Sequence, residues 1–207
     1  MNNKSLKKWL LFSQGIIILS IGIALTVWAK IWGVSPWDAF HLGLANHLNF
    51  NFGQIVQLVG AVAIVLGAIL GVIPKLGTIL NMFIVGWLAN YLLVLLPNNS
   101  LGKFSFVSLI FFVLGIICYG IGTGLYIAAD VGIGPRDSIM VGLNKKFGIK
   151  IARARTFTEI TAVFLGFMLA GPIGIGTVLF SVTIGYVVEK TLNLYKTYSL
   201  TNNQGDN

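Results

Sequence analysis

The chain has too few charged side chains to cover a water-facing surface. Asp, Glu, Lys and Arg make up 10% of its 207 residues, whereas soluble domains carry about a quarter. Hydrophobic residues account for 56% of the chain. Because a membrane-spanning helix needs roughly 20 apolar residues, this composition predicts an all-α integral membrane protein with six transmembrane helices. We predict one polytopic membrane domain over residues 1–207, with no room for a soluble one.

Cysteine, histidine and acidic residues are scarce, which argues against several kinds of site. Cys118 is the single cysteine, so no disulfide can form within the chain. The two histidines and six acidic residues show no metal-ligand spacing, and no nucleophile elbow or pair of buried carboxylates is recognisable. We therefore predict no metal, no cofactor and no enzymatic activity.

Six apolar stretches follow one another along the chain. We predict spans at residues 9–29, 53–73, 77–96, 104–129, 156–169 and 176–194. The first is longer than the apolar region of a cleaved signal peptide, so we interpret it as a retained span. The sequence PNNS at residues 97–100 is a turn signal. It separates a first half, residues 9–96, from a second half, residues 104–196. Residues 197–207 form a polar tail, and we expect no ordered structure from Thr201 onward.

A polar break between hydrophobic helices occurs twice, at a constant offset. It reads GVSPWD at residues 33–38 and GIGPRD at residues 132–137. Chance matching among 25 glycines explains single pairs but not a whole pattern in one register, so we infer an internal duplication. Three spans per copy is an odd number, so we predict two inverted three-helix repeats. The pairs in this register are Gly33/Gly132, Pro36/Pro135, Asp38/Asp137, Gly43/Gly142, Leu44/Leu143, Gly67/Gly166, Gly77/Gly176, Thr78/Thr177 and Gly86/Gly185.

Each break has the pattern of a helix start. Ser35 can be the N-cap, Pro36 fits the first helical position, and Asp38 then meets the free N–H groups of the first turn. The second break repeats this plan with Gly134 as the cap.

The segments that follow, residues 38–48 and 137–147, are too short to cross a bilayer. They predict a short half-helix in each repeat, either re-entrant or interfacial. Two interpretations stay open: the Asp residues only cap helices, or the two half-helices dip inward from opposite faces and line a path.

The candidates for a substrate path come from the breaks and from ionisable residues in the later spans. Glu159 follows Arg155 by four residues, which predicts an ion pair. His41 follows Asp38 by three, so the two can pair, although a solvated histidine is the simpler expectation. Glu189 fits an interfacial position equally well. The candidates are Ser35, Pro36, Asp38, His41, Pro135, Arg136, Asp137, Arg155, Glu159 and Glu189. We predict that the last five form one network at the inner mouth.

Other polar and aromatic residues in the spans have simpler explanations. Four amides are expected to form interhelical hydrogen bonds: Gln54, Gln57, Asn81 and Asn90. The five tryptophans are expected to anchor the protein at the membrane interfaces.

The net charge of +8 orients the protein and does not indicate nucleic acid as a partner. With the N-terminus inside and six spans, every Lys and Arg except Lys30 and Lys103 lies on the inner side. This strong positive-inside bias places the N- and C-termini in the cytoplasm.

At these breaks the chain resembles the YczE/YyaS/YitT-type family of bacterial integral membrane proteins. The shared features are the two breaks and the sequence GIGT at residues 174–177, and the resemblance covers about residues 10–195. It implies a multi-pass protein of the bacterial cytoplasmic membrane and brings no activity or catalytic residue. The breaks differ, since Ser35 and Trp37 stand where the second has Gly134 and Arg136, so the halves are not equivalent.

Two functions from different classes fit this pattern. The first is a transporter or permease for a small solute, favoured by the duplicated breaks that face opposite sides. The second is a non-transporting accessory or scaffold protein that regulates a partner. The lipid bilayer is a partner in either case. A homodimer or another membrane partner is compatible with both.

Overall fold

A computed structural model describes residues 3–96 and 104–204, and these residues form helices joined by short connections. The predicted turn at residues 97–100 and Lys103 lie outside these ranges. Within them the α-helices are α1 (Asn3–Trp28), α2 (Pro36–Ala45), α3 (Phe52–Ile69), α4 (Leu76–Leu95), α5 (Phe106–Ala128), α6 (Pro135–Phe147), α7 (Ile151–Met168) and α8 (Ile175–Gln204). A short 3-10 turn at Lys30–Trp32 connects α1 to the first break.

Among the described helices, five are long and apolar enough to cross a membrane: α1, α3, α4, α5 and α8. The predicted fifth span corresponds to α7, which begins at Ile151, before the predicted residue 156. This helix has 18 residues but contains Arg153, Arg155 and Glu159, and it is not among the five. Length and composition therefore do not confirm the six-span count.

The end of the chain differs from the prediction. Helix α8 continues to Gln204, so the expected loss of structure at Thr201 is wrong up to that residue. No Gly or Pro occurs between Tyr186 and Gln204, so nothing in this sequence stops the helix. Residues 205–207 lie outside the described part.

The two short helices begin as their sequences predict. The Ser35 hydroxyl accepts a hydrogen bond from the Asp38 backbone N–H at 3.1 Å, with Pro36 at the first position of α2. Helix α6 begins with Gly134 as N-cap and Pro135 at the first position. It ends at Gly148, whose φ of 69° lies in the left-handed region that glycine adopts without strain.

Helices α1 and α5 pack closely along much of their length. Small residues mark the contacts, because a Cβ on Gly15 would lie 2.5 Å from the Tyr126 nitrogen and one on Gly22 would lie 2.3 Å from the Tyr119 nitrogen. Such positions let two backbones approach each other. The residue numbers of the contacting positions increase along α1 as they decrease along α5. The two helices are therefore antiparallel.

The remaining helices pack around this pair. Helix α4 lies on α1 and α8 lies on α5, while α2 packs against α7 and α3 against α6. Each short helix therefore lies against a long helix of the other half. Helices α3 and α4 are in contact, whereas α7 and α8 barely touch.

One end of the helix assembly carries a cluster of exposed charges. The Lys8 ammonium donates to Asp130 at 3.3 Å, and Lys75 lies 3.7 Å from the same carboxylate. The hydrogen bond from Lys8 and the charge of Lys75 lower the pKa of the Asp130 carboxyl. On the same side, the Lys145 ammonium donates to the Gly71 carbonyl at 2.6 Å.

Candidate functional site

The N-terminal ends of the two short helices meet in the interior. Asp38 of α2 and Arg136 of α6 border one cavity, together with Leu19 of α1 and Tyr119 of α5. Tyr119 lies near the middle of α5. Both short helices thus run from the interior to exposed C-terminal ends.

At the start of α2, Asp38 forms a buried polar cluster with two neighbours. Its carboxylate accepts a hydrogen bond from the Ser35 hydroxyl at 2.5 Å, and its other oxygen lies 3.4 Å from His41 Nδ1. The exposed fractions are 1% for Ser35, 1% for Asp38 and 4% for His41. The interpretation of His41 as a solvated side chain is therefore wrong, and its pairing with Asp38 is present.

At the start of α6, Arg136 lies between two aromatic rings. Its Cζ is 5.7 Å from the Trp37 ring centre and 6.0 Å from the Tyr119 ring centre. One guanidinium nitrogen donates to the Tyr119 hydroxyl at 2.8 Å. The flat faces of the rings stabilise the cation. Trp37 was expected at a membrane interface, but it lies in the interior against this arginine.

The neighbouring Asp137 has a different partner. Its carboxylate accepts a hydrogen bond from the Tyr126 hydroxyl at 2.9 Å. Both acidic side chains of the breaks thus lie in the first turn of a helix, where the free N–H groups favour negative charge. Charges removed from water in this way are costly unless they are compensated.

A second cavity also borders Arg136. It is bordered by Pro36 of α2 and the N-cap residue Ser35, by Asp137 of α6 and by Arg155 and Glu159 of α7. The predicted ion pair between the last two is confirmed, with Arg155 Nε 3.0 Å from the Glu159 carboxylate. The volumes are about 40 Å³ for the cavity beside Asp38 and about 70 Å³ for this one.

Nine of the ten candidate residues border these two cavities, and Glu189 does not. Glu189 is exposed and lines an open depression on the surface of α8 with Tyr186 and Lys190. The predicted network of five residues thus lacks Glu189. The other four residues, Arg136, Asp137, Arg155 and Glu159, line the second cavity. They lie in the interior and not at the inner mouth, because α6 begins in the interior.

The four amides differ in their contacts. Gln57 donates to the Phe83 carbonyl at 3.0 Å, and Asn90 accepts from the Gly53 N–H at 3.5 Å, both between α3 and α4 as predicted. Gln54 instead caps its own helix with Asn51. Asn81 borders the cavity beside Asp38, and its amide nitrogen is buried without a hydrogen-bond partner.

Sequence reasoning missed the two tyrosines that hold the charged residues of α6. Tyr119 and Tyr126 are seven residues apart on α5, which places them on one face of the helix. That spacing, with glycines around it, was the available signal. Among the described residues, no group of three His, Cys, Asp or Glu side chains is placed to hold a metal ion.

This arrangement defines a class: a polytopic helical membrane protein in which two short helices bring charged side chains into its interior. The chain belongs to the family of unknown function DUF6198, whose model matches residues 6–192. The resemblance to YczE and YyaS is confirmed by individual relatives.

The uncharacterized membrane protein YczE of Bacillus subtilis (strain 168) is 34% identical, covering 93% of this chain and 88% of its own length. An uncharacterized protein of Haemophilus influenzae is 37% identical over 86% of this chain and 79% of its own length. The uncharacterized protein YyaS of Bacillus subtilis is 27% identical over 95% and 98%. No solved structure matches the chain.

Proposed function

We propose that this protein is a transporter of a small solute in the bacterial cytoplasmic membrane, with the path passing between the N-termini of α2 and α6. The observation that carries the proposal is the pair of cavities that border Arg136: Asp38 of α2 lines one, and Asp137 of α6 lines the other. Ionisable residues inside a membrane protein are costly and mark substrate or ion paths.

Reciprocal contacts support an inverted repeat as the architecture of this transporter. A Cβ on Gly33 would meet Thr177, and one on Gly132 would meet Thr78. Gly33/Gly132 and Thr78/Thr177 are two pairs of the sequence register, and each glycine faces the threonine of the other half. A Cβ on Gly67 of the first half would also meet Ser138 of the second half.

The orientation of the helices supports the same architecture. Helices α1 and α5 are equivalent in the sequence register and antiparallel in the structure. In this proposal α7, the equivalent of α3, also crosses the membrane and brings the number of spans to six, and its charged first turns lie toward the inner surface.

The charged end of the helix assembly assigns the sides. Lys8, Lys75 and Lys145 lie at this end, which the positive-inside rule places in the cytoplasm. Both termini are then cytoplasmic. The C-terminal end of α2 then faces the outside of the cell, and the C-terminal end of α6 faces the cytoplasm.

The accessory alternative makes a different expectation for the interior. A scaffold without a path needs only apolar packing between the two breaks. The structure has two cavities there with charged side chains in their linings, one of them bordered by the ion pair of Arg155 and Glu159, which supports transport over scaffolding.

Flux measurements in proteoliposomes test the proposal. We expect Asp38→Asn and Asp137→Asn each to reduce solute flux at least about tenfold, since each removes an interior charge, buried at Asp38 and partly buried at Asp137, that is held by a specific partner. Asp130→Asn is the matched control, because its carboxylate is 72% exposed at the surface. A panel of radiolabelled small solutes is compared among the four proteins. If every flux of the wild-type protein persists in both interior variants, the path does not run here.

A further inference from the structure

Arg136 carries a positive charge that no carboxylate of the described residues contacts within ion-pair distance. Its one hydrogen bond goes to the Tyr119 hydroxyl. A guanidinium has five N–H donors and no acceptor. Most of its donors are therefore left for a group that is not part of the described chain.

The nearby carboxylates have other partners. Asp38 accepts from the Ser35 hydroxyl and lies next to His41, and Asp137 accepts from the Tyr126 hydroxyl. Each is also in the first turn of its helix, where backbone N–H groups compensate its charge. In the cavity beside Asp38, Arg136 is the charged group with the most unused hydrogen-bonding capacity, since one of its five N–H donors is used.

Asn81 provides a second, independent observation. Its side chain borders the same cavity as Arg136, is 6% exposed, and has an amide nitrogen without a hydrogen-bond partner. A buried donor left unpaired costs about 1–3 kcal/mol. An acceptor in the cavity would satisfy the amide and the guanidinium together.

The size of the cavity limits what that acceptor can be. One water-sized group needs roughly 10–15 Å³ of cavity volume. The cavity of about 40 Å³ therefore holds about three or four non-hydrogen atoms. A planar guanidinium pairs best with a planar group that presents two oxygens, as a carboxylate does. The guanidinium charge repels a cation from the same space.

We propose that the cavity between α2 and α6 binds a small planar carboxylate or similar monovalent oxyanion. Its two oxygens accept hydrogen bonds from the Arg136 guanidinium, and one also accepts from Asn81. We further infer that this anion is the transported solute. That step rests on the proposed transport function, whereas the binding itself does not.

Titration of the purified protein in nanodiscs tests the binding. Sodium formate and sodium acetate are added while heat and tryptophan fluorescence are recorded. Trp37 stacks on the guanidinium, so we expect a fluorescence change that Trp37→Phe removes, while the affinity measured by heat changes less than about threefold. Affinity should fall as the chain lengthens to butyrate, because the cavity is small.

Variants of the two donors give the expected changes in affinity. Arg136→Gln should weaken formate binding at least about tenfold, and Asn81→Ala about threefold to tenfold. Arg136→Lys keeps the charge and should retain part of the affinity, which separates loss of binding from loss of folding. Arg153→Gln is the matched control, because Arg153 is exposed on α7 and should leave the affinity unchanged.

Three results would overturn the inference: unchanged formate affinity in Arg136→Gln, chloride binding as tightly as formate, or a response to potassium instead of the anion. Flux of labelled formate in proteoliposomes then separates this inference from the transport proposal. Formate binding without formate flux refutes the identification of the anion as the transported solute and leaves the site intact. Flux of another solute by a protein that does not bind carboxylates refutes the site alone.

Discussion

Replacing Gly22 with alanine tests the close approach of the α1 and α5 backbones in the interior. The added Cβ would lie 2.3 Å from the Tyr119 nitrogen, 2.7 Å from the Tyr119 Cα and 2.8 Å from the Gly115 carbonyl oxygen. All three are backbone atoms of α5, so no change of rotamer can make room. Non-bonded carbon atoms prefer about 3.5–4.0 Å, so α1 and α5 must separate locally by about 1 Å.

The cost follows from this separation. Overpacking usually costs about 1–3 kcal/mol, and a gap of about 1 Å forfeits up to half of the dispersion energy of the contacts that it opens. We expect Gly22→Ala to lower the free energy of unfolding by about 2–3 kcal/mol. Gly122→Ala should cost the same, because its Cβ would lie 2.2 Å from the Leu19 nitrogen.

Gly185→Ala is the matched control on α8, because a Cβ there meets nothing within 4 Å. Alanine is also the better helix former by about 1 kcal/mol, so this variant should be as stable as the wild type or slightly more stable. Reversible unfolding in mixed detergent micelles measures all three. Equal stabilities of Gly22→Ala and Gly185→Ala would refute the close contact. Because Tyr119 is the hydrogen-bond partner of Arg136, Gly22→Ala should also weaken binding of the anion.

Two further predictions concern topology and the ion pair. In a Cys118→Ser background, Asn46→Cys and Lys146→Cys each place one thiol at the exposed end of a short helix. We expect Asn46→Cys to react with a membrane-impermeant maleimide from outside the cell and Lys146→Cys from inside. Reaction of both from the same side would contradict the inverted repeat. Glu159→Gln should lower solute flux while changing stability by less than about 1 kcal/mol, since the pair with Arg155 is partly exposed; thermal unfolding and flux are measured on the same preparation, and a large loss of stability would mean a structural role.

The starts of the short helices could be predicted from sequence because local chemistry determines them. A hydroxyl cap, a proline at the first position and an acidic third residue serve the free N–H groups of one turn, whatever the rest of the fold does. The i,i+4 pair of Arg155 and Glu159 is local in the same sense. These are the features of the candidate site that the sequence predicted correctly.

The faces of the long helices could not be predicted in this way. Lipid and protein interior are both apolar, so hydrophobic periodicity does not separate them. On α3, Ile55 is fully buried while Val65 is 57% exposed, although both are branched aliphatic residues. The same ambiguity hid the inward positions of Trp37 and Tyr119, whose residue types also suit a membrane interface.

The two halves differ where the repeat predicts that they should agree. Gly86 and Gly185 share one register, yet a Cβ on Gly86 would lie 2.7 Å from the Gly53 carbonyl oxygen while Gly185 faces open space. Helix α3 packs closely against α4. By contrast, an apolar groove of about 500 Å³ lies between α7 and α8. Pro36 and Glu159 line both this groove and the second cavity beside Arg136.

Both halves retain a glycine at this position, so the sequence permits the close contact in either of them. A rocking motion that closed α7 on α8 and opened α3 from α4 would exchange the two arrangements. The central arginine would then face the opposite opening without moving far itself. In the proposed transporter, the open groove of one half would thus be the counterpart of the closed contact of the other.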